Sequence, residues 1–162
     1  MINRIDIDKI LIGNPFFIAE AGVNHDGKLS QALKLVDIAV DSGADAVKFQ
    51  TFKSEDLVTK DAERTNYQKK NMNSSGISQF SMLKSFELSL DDFQKIKSYC
   101  DSKNIMFLST PHTESAAIFL EPIVPFFKVG SGDITNIPFL KKLAVKKKLI
   151  VMSTGMSSIY EI

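Results

Sequence analysis

Five short runs of β-prone residues govern what this chain can fold into. They are Phe16–Gly22 (FFIAEAG), Ala46–Phe52 (AVKFQTF), Met106–Pro111 (MFLSTP), Phe126–Gly132 (FFKVGSG) and Leu149–Gly155 (LIVMSTG). Each is short and largely apolar on both faces of its pleat, the pattern of a strand covered on both sides. Helical patterns separate them. Leu33, Val36, Ala39 and Val40 share one helix face, with Ser30 as the expected cap and Gly43 as the stop. Ser89 with Asp92 forms a capping box ahead of the stripe Leu90, Phe93, Ile96, Tyr99 and Cys100, and Asn104 closes that helix left-handed. Thr113–Leu120 and Asn136–Lys147 read as two further helices, and Ser158 with Glu161 as a last capping box.

Strands alternating with helices predict a parallel α/β sheet covered by helices. Two architectures fit, an open doubly wound sheet and a (β/α)8 TIM barrel. No GxGxxG follows the first run, which counts against a dinucleotide-binding sheet. Polar residues stand instead at the C-terminal end of every run: Glu20; Lys48 and Gln50; Thr110; Lys128 and Ser131; Ser153 and Thr154. A barrel collects its active site at that end. A complete barrel needs roughly 200 residues or more, and this chain has 162. The expectation is a partial (β/α)8 barrel with about five of its eight units, residues 1–162 being the N-terminal portion of a longer domain. Alone, such a portion exposes strand edges and core side chains, and self-association or a complementing half would cover them.

Composition narrows the function classes. Hydrophobic residues make up 44% and the net charge is +1, an ordinary soluble balance with no nucleic-acid surface. The run Lys146–Lys148 reads as a solvated helix end facing its dipole. The single cysteine, Cys100, excludes an internal disulfide and falls in an apolar stripe, as inert core does. The opening MINRIDIDKI carries charges and no apolar run, unlike a signal peptide, and no stretch is long enough to cross a bilayer, so the cytoplasm is the expected location. A polar segment from Lys53 to about Leu88 makes a long excursion, with QFSMLKSFEL as a short helix near its end.

The chemistry concentrates on two lysines. Lys128 interrupts FFKVG, and a lysine inside a buried run is costly unless an anion meets it. Gly130 and Gly132 permit a tight turn and a close ligand approach, Ser131 adds a hydroxyl, and Asn136 caps the next helix. Strand, glycine turn and helix start make a phosphate cradle; the plainer reading is a strand-to-helix turn with a snorkelling lysine. By the period-two rule, Lys48 shares a face with Gln50, and Glu20 with Ile18. Two ammonium groups among Ser and Thr hydroxyls suit a small anion carrying phosphate and carboxylate, with Glu20 as general base or sugar ligand. A Lys–Glu pair holding the sheet together is the competing reading. His25, in an Asn-His-Asp-Gly turn, and His112, after Pro111, read as loop residues, and no complete metal site is visible.

Five motifs in order, IAEAGVNHDG, GADAVKFQTF, FLSTP, KVGSGDITN and MSTGMSS, resemble the N-acetylneuraminate (sialic acid) synthase family, and the likeness runs from Phe16 onward. The segment TFKSEDLVTKDAERTNYQKKN is similar to the bacterial sialic or legionaminic acid type. The resemblance implies a TIM barrel followed by an antifreeze-like domain, in a domain-swapped homodimer. It implies condensation of phosphoenolpyruvate with N-acetylmannosamine or a related amino sugar, releasing phosphate. A divalent metal, Mn2+ or Mg2+, would activate the sugar aldehyde. Carried over by motif, Lys48, Thr110, Lys128, Ser131 and Ser153 match phosphoenolpyruvate contacts, while Glu20, Gln50 and Asp133 match positions near the sugar and the reacting centre. Asn71 or Asn73 is a loose match to a sugar contact. Asp133 stands where the family often has Glu, and STPHTESA replaces STPFD, which leaves His112 without a family role. The resemblance assigns the metal ligands to later strands, outside this chain. The alternatives are a non-catalytic anion-binding remnant and a legionaminic acid synthase.

Overall fold

In a computed structural model of the chain, the structure describes residues 15–62 and 78–162. Five parallel strands alternate with helices along the chain. They are β1 (Ile18–Gly22), β2 (Ala46–Thr51), β3 (Met106–Pro111), β4 (Phe127–Val129) and β5 (Ile150–Met152). Between them lie α1 (Leu29–Asp41), α2 (Ser54–Leu57), α3 (Gln79–Phe86), α4 (Leu90–Ser102), α5 (Glu114–Leu120) and α6 (Ile137–Ala144), with a 3-10 turn at Ser131–Asp133. The expected partial barrel is what forms: parallel strands in sequence order, the first four each followed by helical structure.

The ladders run β1-β2-β3 and β4-β5. Lys48 is the register partner of Glu20 on one side and of Leu108 on the other. β4 lies beside β3, yet among the described residues no ladder joins the two. The sheet therefore has a seam between its third and fourth strands.

Alternation along each strand sorts its side chains onto two faces. Val47, Phe49, Phe107, Phe127 and Val129 face the helices and pack with Val36 and Ala39 of α1 and Phe93, Ile96 and Cys100 of α4. Burial of such a side chain contributes about 1.5–3 kcal/mol, so this cluster anchors the fold. Phe49 stacks on Phe107 with centroids 6.1 Å apart. Cys100 is buried here and desolvation pushes its thiol up to about 12, which makes it inert as expected. On the opposite face Ala46, Leu108 and Phe126 form a second cluster, flanked by Ile18, Met106 and Val151.

Several local signals act as the sequence predicts. Ser89 and Asp92 close a capping box on α4, Asn136 accepts from the Phe139 N–H at the start of α6, and Asn104 has φ 56°. Gly43 follows α1 at φ 71°. Ser30 does not cap α1: the cap position is Lys28, and Ser30 lies within the first turn. The fourth strand is shorter than expected because the backbone turns into the 3-10 segment directly after Gly130. The Lys146–Lys148 run is not simply solvated: Lys146 pairs with Glu121, and Lys148 donates to the Val124 carbonyl at 2.6 Å. No helix of the described residues is long and apolar enough to cross a membrane. The opening ten residues and Asn71 and Asn73 lie outside the described residues.

Candidate anion site at the strand ends

The site follows from the same two-residue period that builds the second cluster. One pleat beyond Ile18, Ala46, Leu108, Phe126 and Val151 come Glu20, Lys48, Thr110, Lys128 and Ser153. An apolar floor thus carries a polar layer at the C-terminal ends of all five strands. The strands have to be parallel for this to happen, since antiparallel neighbours would send alternate polar ends in opposite directions.

Lys48 is 8% exposed, and its ammonium pairs with Glu20 and donates to Thr110 Oγ1 at 3.4 Å. The Glu20 side chain is 52% exposed, so the pair is half open to solvent rather than a sealed bridge within the sheet. An exposed partner of this kind contributes at most about 1 kcal/mol to stability. A purely structural role for Lys48 is therefore poorly supported by its own counterion.

Lys128 is half-buried. Its ammonium donates to the Val129 carbonyl at 2.9 Å and to Ser153 Oγ, which belongs to the neighbouring β5 strand. Burial holds its pKa below the usual lysine value, the positive charge of Lys48 lowers it further, and Glu20 opposes the shift. The two ammonium groups therefore sit in one electrostatic neighbourhood, on the same face and at the same end of the strands. They approach from opposite sides of the seam, Lys48 with Thr110 on one ladder and Lys128 with Ser153 on the other.

The remaining expected residues divide. Asp133 ends the 3-10 turn, accepts from Asn136 Nδ2 at 3.2 Å, and its charge reaches His112. Ser131 begins that turn, and among the described residues no hydrogen bond joins its hydroxyl to Lys128 or Ser153. Gln50 lies one pleat above Lys48 and meets His112, whose Nε2 is 3.2 Å from Gln50 Oε1.

His112 is the residue that sequence reasoning placed elsewhere. Its backbone N–H donates to the Thr51 carbonyl at 3.1 Å, which extends the β2–β3 pairing one residue past Pro111. Its ring therefore falls on the face of Thr110, two residues earlier. The signal was available in the spacing Thr110–His112, which repeats Lys48–Gln50. His25 stays outside the polar layer: it is 1% exposed, packs against Phe49 at 6.1 Å, and its Nδ1 accepts from the Gly27 N–H at 3.1 Å.

Among the described residues no group of three His, Cys, Asp or Glu side chains could hold a metal. Glu20, the carboxylate nearest the lysines, is already paired with Lys48. These residues do not fit a divalent-metal centre.

A parallel βα sheet with paired cations over an apolar floor at its C-terminal edge defines part of a (β/α)8 barrel with an anion-suited rim. The chain belongs to the NeuB family, which matches residues 35–162. It is 47% identical over 148 residues to an N,N'-diacetyllegionaminic acid synthase of Legionella pneumophila, covering 91% of this chain and 41% of that protein. It is 38% identical to the human N-acetylneuraminate-9-phosphate synthase, covering 88% of this chain and 40% of that protein. A crystal structure of the N-acetylneuraminic acid synthetase from Leptospira borgpetersenii in complex with citrate superposes with a TM-score of 0.75 at 34% identity, covering 92% of this chain and 48% of that one. The chain spans about two fifths of the length of the curated relatives it matches.

Proposed function

We propose that this chain supplies the phosphoenolpyruvate-binding part of a synthase that condenses phosphoenolpyruvate with an N-acetylated amino sugar, releasing phosphate and forming a nonulosonic acid. One observation carries the reading: Lys48 and Lys128, each with a neighbouring hydroxyl from Thr110 or Ser153, meet in one electrostatic neighbourhood at the strand ends. A three-carbon acid bearing phosphate has two anionic groups and suits two separated ammonium ions. Membership of the NeuB family and likeness to named sialic and legionaminic acid synthases support the same substrates.

In this reading Lys48 and Lys128 neutralise the phosphate and carboxylate, while Thr110 and Ser153 fix their orientation. Ser131 turns its hydroxyl to the same anion when it binds. Glu20, Gln50 and Asp133 stand toward the sugar, with Glu20 as the proton acceptor or hydroxyl ligand. Residues 1–162 act as the N-terminal portion of a cytoplasmic barrel synthase, a homodimer when complete. The divalent metal that the family resemblance implies, Mn2+ or Mg2+, would be held by residues outside this chain and would supply Lewis-acid polarisation of the sugar aldehyde.

The relatives at 47% and 45% identity carry the name N,N'-diacetyllegionaminic acid synthase, which favours a diacetamido sugar over N-acetylmannosamine. Calorimetric titration with phosphoenolpyruvate tests the core of the proposal. Saturable binding is expected, lost in Lys128→Ala; retention of full affinity in that variant would refute it. Comparing the two sugars in phosphate-release assays of the chain together with a complementing half decides the second substrate. Binding without turnover under those conditions would instead favour a non-catalytic remnant.

A further inference from the structure

Above the lysine layer, His112 and Gln50 form a contact that anion binding does not require. Three constraints place the His112 ring. The Thr51 carbonyl holds its backbone N–H at 3.1 Å, Phe52 meets the ring edge-on at 73° with centroids 6.2 Å apart, and Gln50 Oε1 stands 3.2 Å from Nε2. At the other end of the same carboxamide, Gln50 Nε2 approaches Gly22. A methyl group built on Gly22 would lie 3.6 Å from that nitrogen and 3.3 Å from Glu20 Oε1. The amide therefore spans from His112, just past the third strand, to Gly22 at the end of the first.

A free carboxamide can exchange its oxygen and nitrogen by rotation, so it offers either an acceptor or two donors to a ligand. A fixed imidazole N–H facing one end removes that freedom. We infer that His112 is a positioning residue: its Nε2–H donates to Gln50 Oε1 and fixes the carboxamide with its NH2 turned toward Gly22, so that the site selects a second substrate with an acceptor oxygen there. An acetamido carbonyl or a hydroxyl of an amino sugar has that chemistry. The selection clause rests on the two-substrate reading above; the His112–Gln50 clause does not. Burial favours a neutral His112 ring, Lys48 adds to that, and Asp133 opposes it. A neutral ring has one N–H, and donation to Gln50 requires it at Nε2.

The experiment uses heteronuclear NMR on the chain, followed by titration with phosphoenolpyruvate and then N-acetylmannosamine. The expected wild-type spectrum has an Nε2–H tautomer at His112 and a single protected pair of Gln50 amide protons. His112→Phe keeps an aromatic ring but removes the donor, and His112→Gln keeps a donor at the same reach. In His112→Phe the Gln50 amide protons lose protection and sugar affinity falls about five- to tenfold, the usual consequence of losing one orienting hydrogen bond. Phosphoenolpyruvate affinity holds, and His112→Gln recovers both lost properties. An Nδ1–H tautomer, or an unchanged Gln50 signal in His112→Phe, overturns the positioning role. Unchanged sugar affinity in that variant, or no sugar binding by the wild-type chain, overturns the selection. If the wild-type chain takes no phosphoenolpyruvate, the anion-site reading is what fails, and the tautomer and amide signals still decide the positioning role.

Discussion

Glu20 and Lys48 are register partners on adjacent parallel strands, and their side chains close an ion pair at the mouth of the polar layer. The carboxylate is half exposed and the ammonium nearly buried, so Glu20 occupies the side of Lys48 from which an anion would arrive. Replacing Glu20 by Gln removes this internal competitor. Affinity of the chain for phosphoenolpyruvate is expected to rise about two- to fivefold, the scale of a partly solvated pair. Calorimetry checks it, and a weakened affinity would mean that Glu20 helps to hold the ligand.

In the proposed site, Lys128 would set a pH limit on phosphoenolpyruvate binding. Its folded pKa lies below the ordinary lysine value through burial and the charge of Lys48. Below that pKa the group is an ammonium ion and holds an anion; above it the charge is gone. Affinity should therefore decline with rising pH before an ordinary lysine would begin to titrate. An anion between the lysines raises the pKa again, so binding at alkaline pH takes up protons. Calorimetry in buffers of different ionisation enthalpy measures that uptake, and Lys128→Arg should abolish it.

His25 ties folding to acidity. Burial lowers its pKa, with Asp26 opposing, and its Nδ1 accepts from the Gly27 N–H. Protonation would place the ring's second N–H hydrogen on Nδ1, facing that donor. The unfolded group titrates near 6.5 and the folded one lower, so the unfolded chain binds the proton more readily. Stability from this group is complete above the unfolded value and is lost as pH falls toward the folded one. His112 shifts in the same direction, so the urea midpoint is best followed against pH in a His112→Gln background. A midpoint that stays flat as pH falls through that window would contradict the expectation.

Gly27 is the tightest backbone contact in the first loop. It has φ +67°, and a methyl group there would stand 2.3 Å from the Ser85 carbonyl oxygen at the end of α3. Both the conformation and the clash oppose any side chain, so Gly27→Ala should cost about 2–3 kcal/mol in urea denaturation. Gly43 provides the control, with φ +71° and open space around it. Gly43→Asn should cost less than about 1 kcal/mol, because Asn tolerates the left-handed region.

Much of this fold was legible because burial and local chemistry agreed. Met106–Pro111 was expected as a strand and is one, and the other four strands fall inside their expected runs. Capping hydrogen bonds are local, so Ser89, Asp92 and Asn136 could be read directly. Ser30 misled because Ser also occurs within a first helical turn, and the backbone entering α1 turned two residues earlier. Lys48, Thr110, Lys128 and Ser153 could be picked out as polar residues ending apolar runs, and the side-chain contacts Lys48–Thr110 and Lys128–Ser153 join them in pairs. Ser131 makes no hydrogen bond to Lys128 among the described residues, since it opens the 3-10 turn that follows Gly130. His112 escaped because Pro111, lacking an N–H, reads as the end of a strand. The next N–H in the chain completes the ladder instead, a relation with Thr51 across 61 positions that no local pattern carries.

The seam between the third and fourth strands bears on what a ligand does to the fold itself. Lys48 and Thr110 are fastened to one hydrogen-bonded slab, Lys128 and Ser153 to the other. An anion grasped from both slabs works as a rivet, replacing across the gap the stitching that the backbone does not make there. If the proposed anion binds there, occupancy and mechanical integrity become one variable, and hydrogen exchange along the fourth and fifth strands should slow as ligand concentration rises.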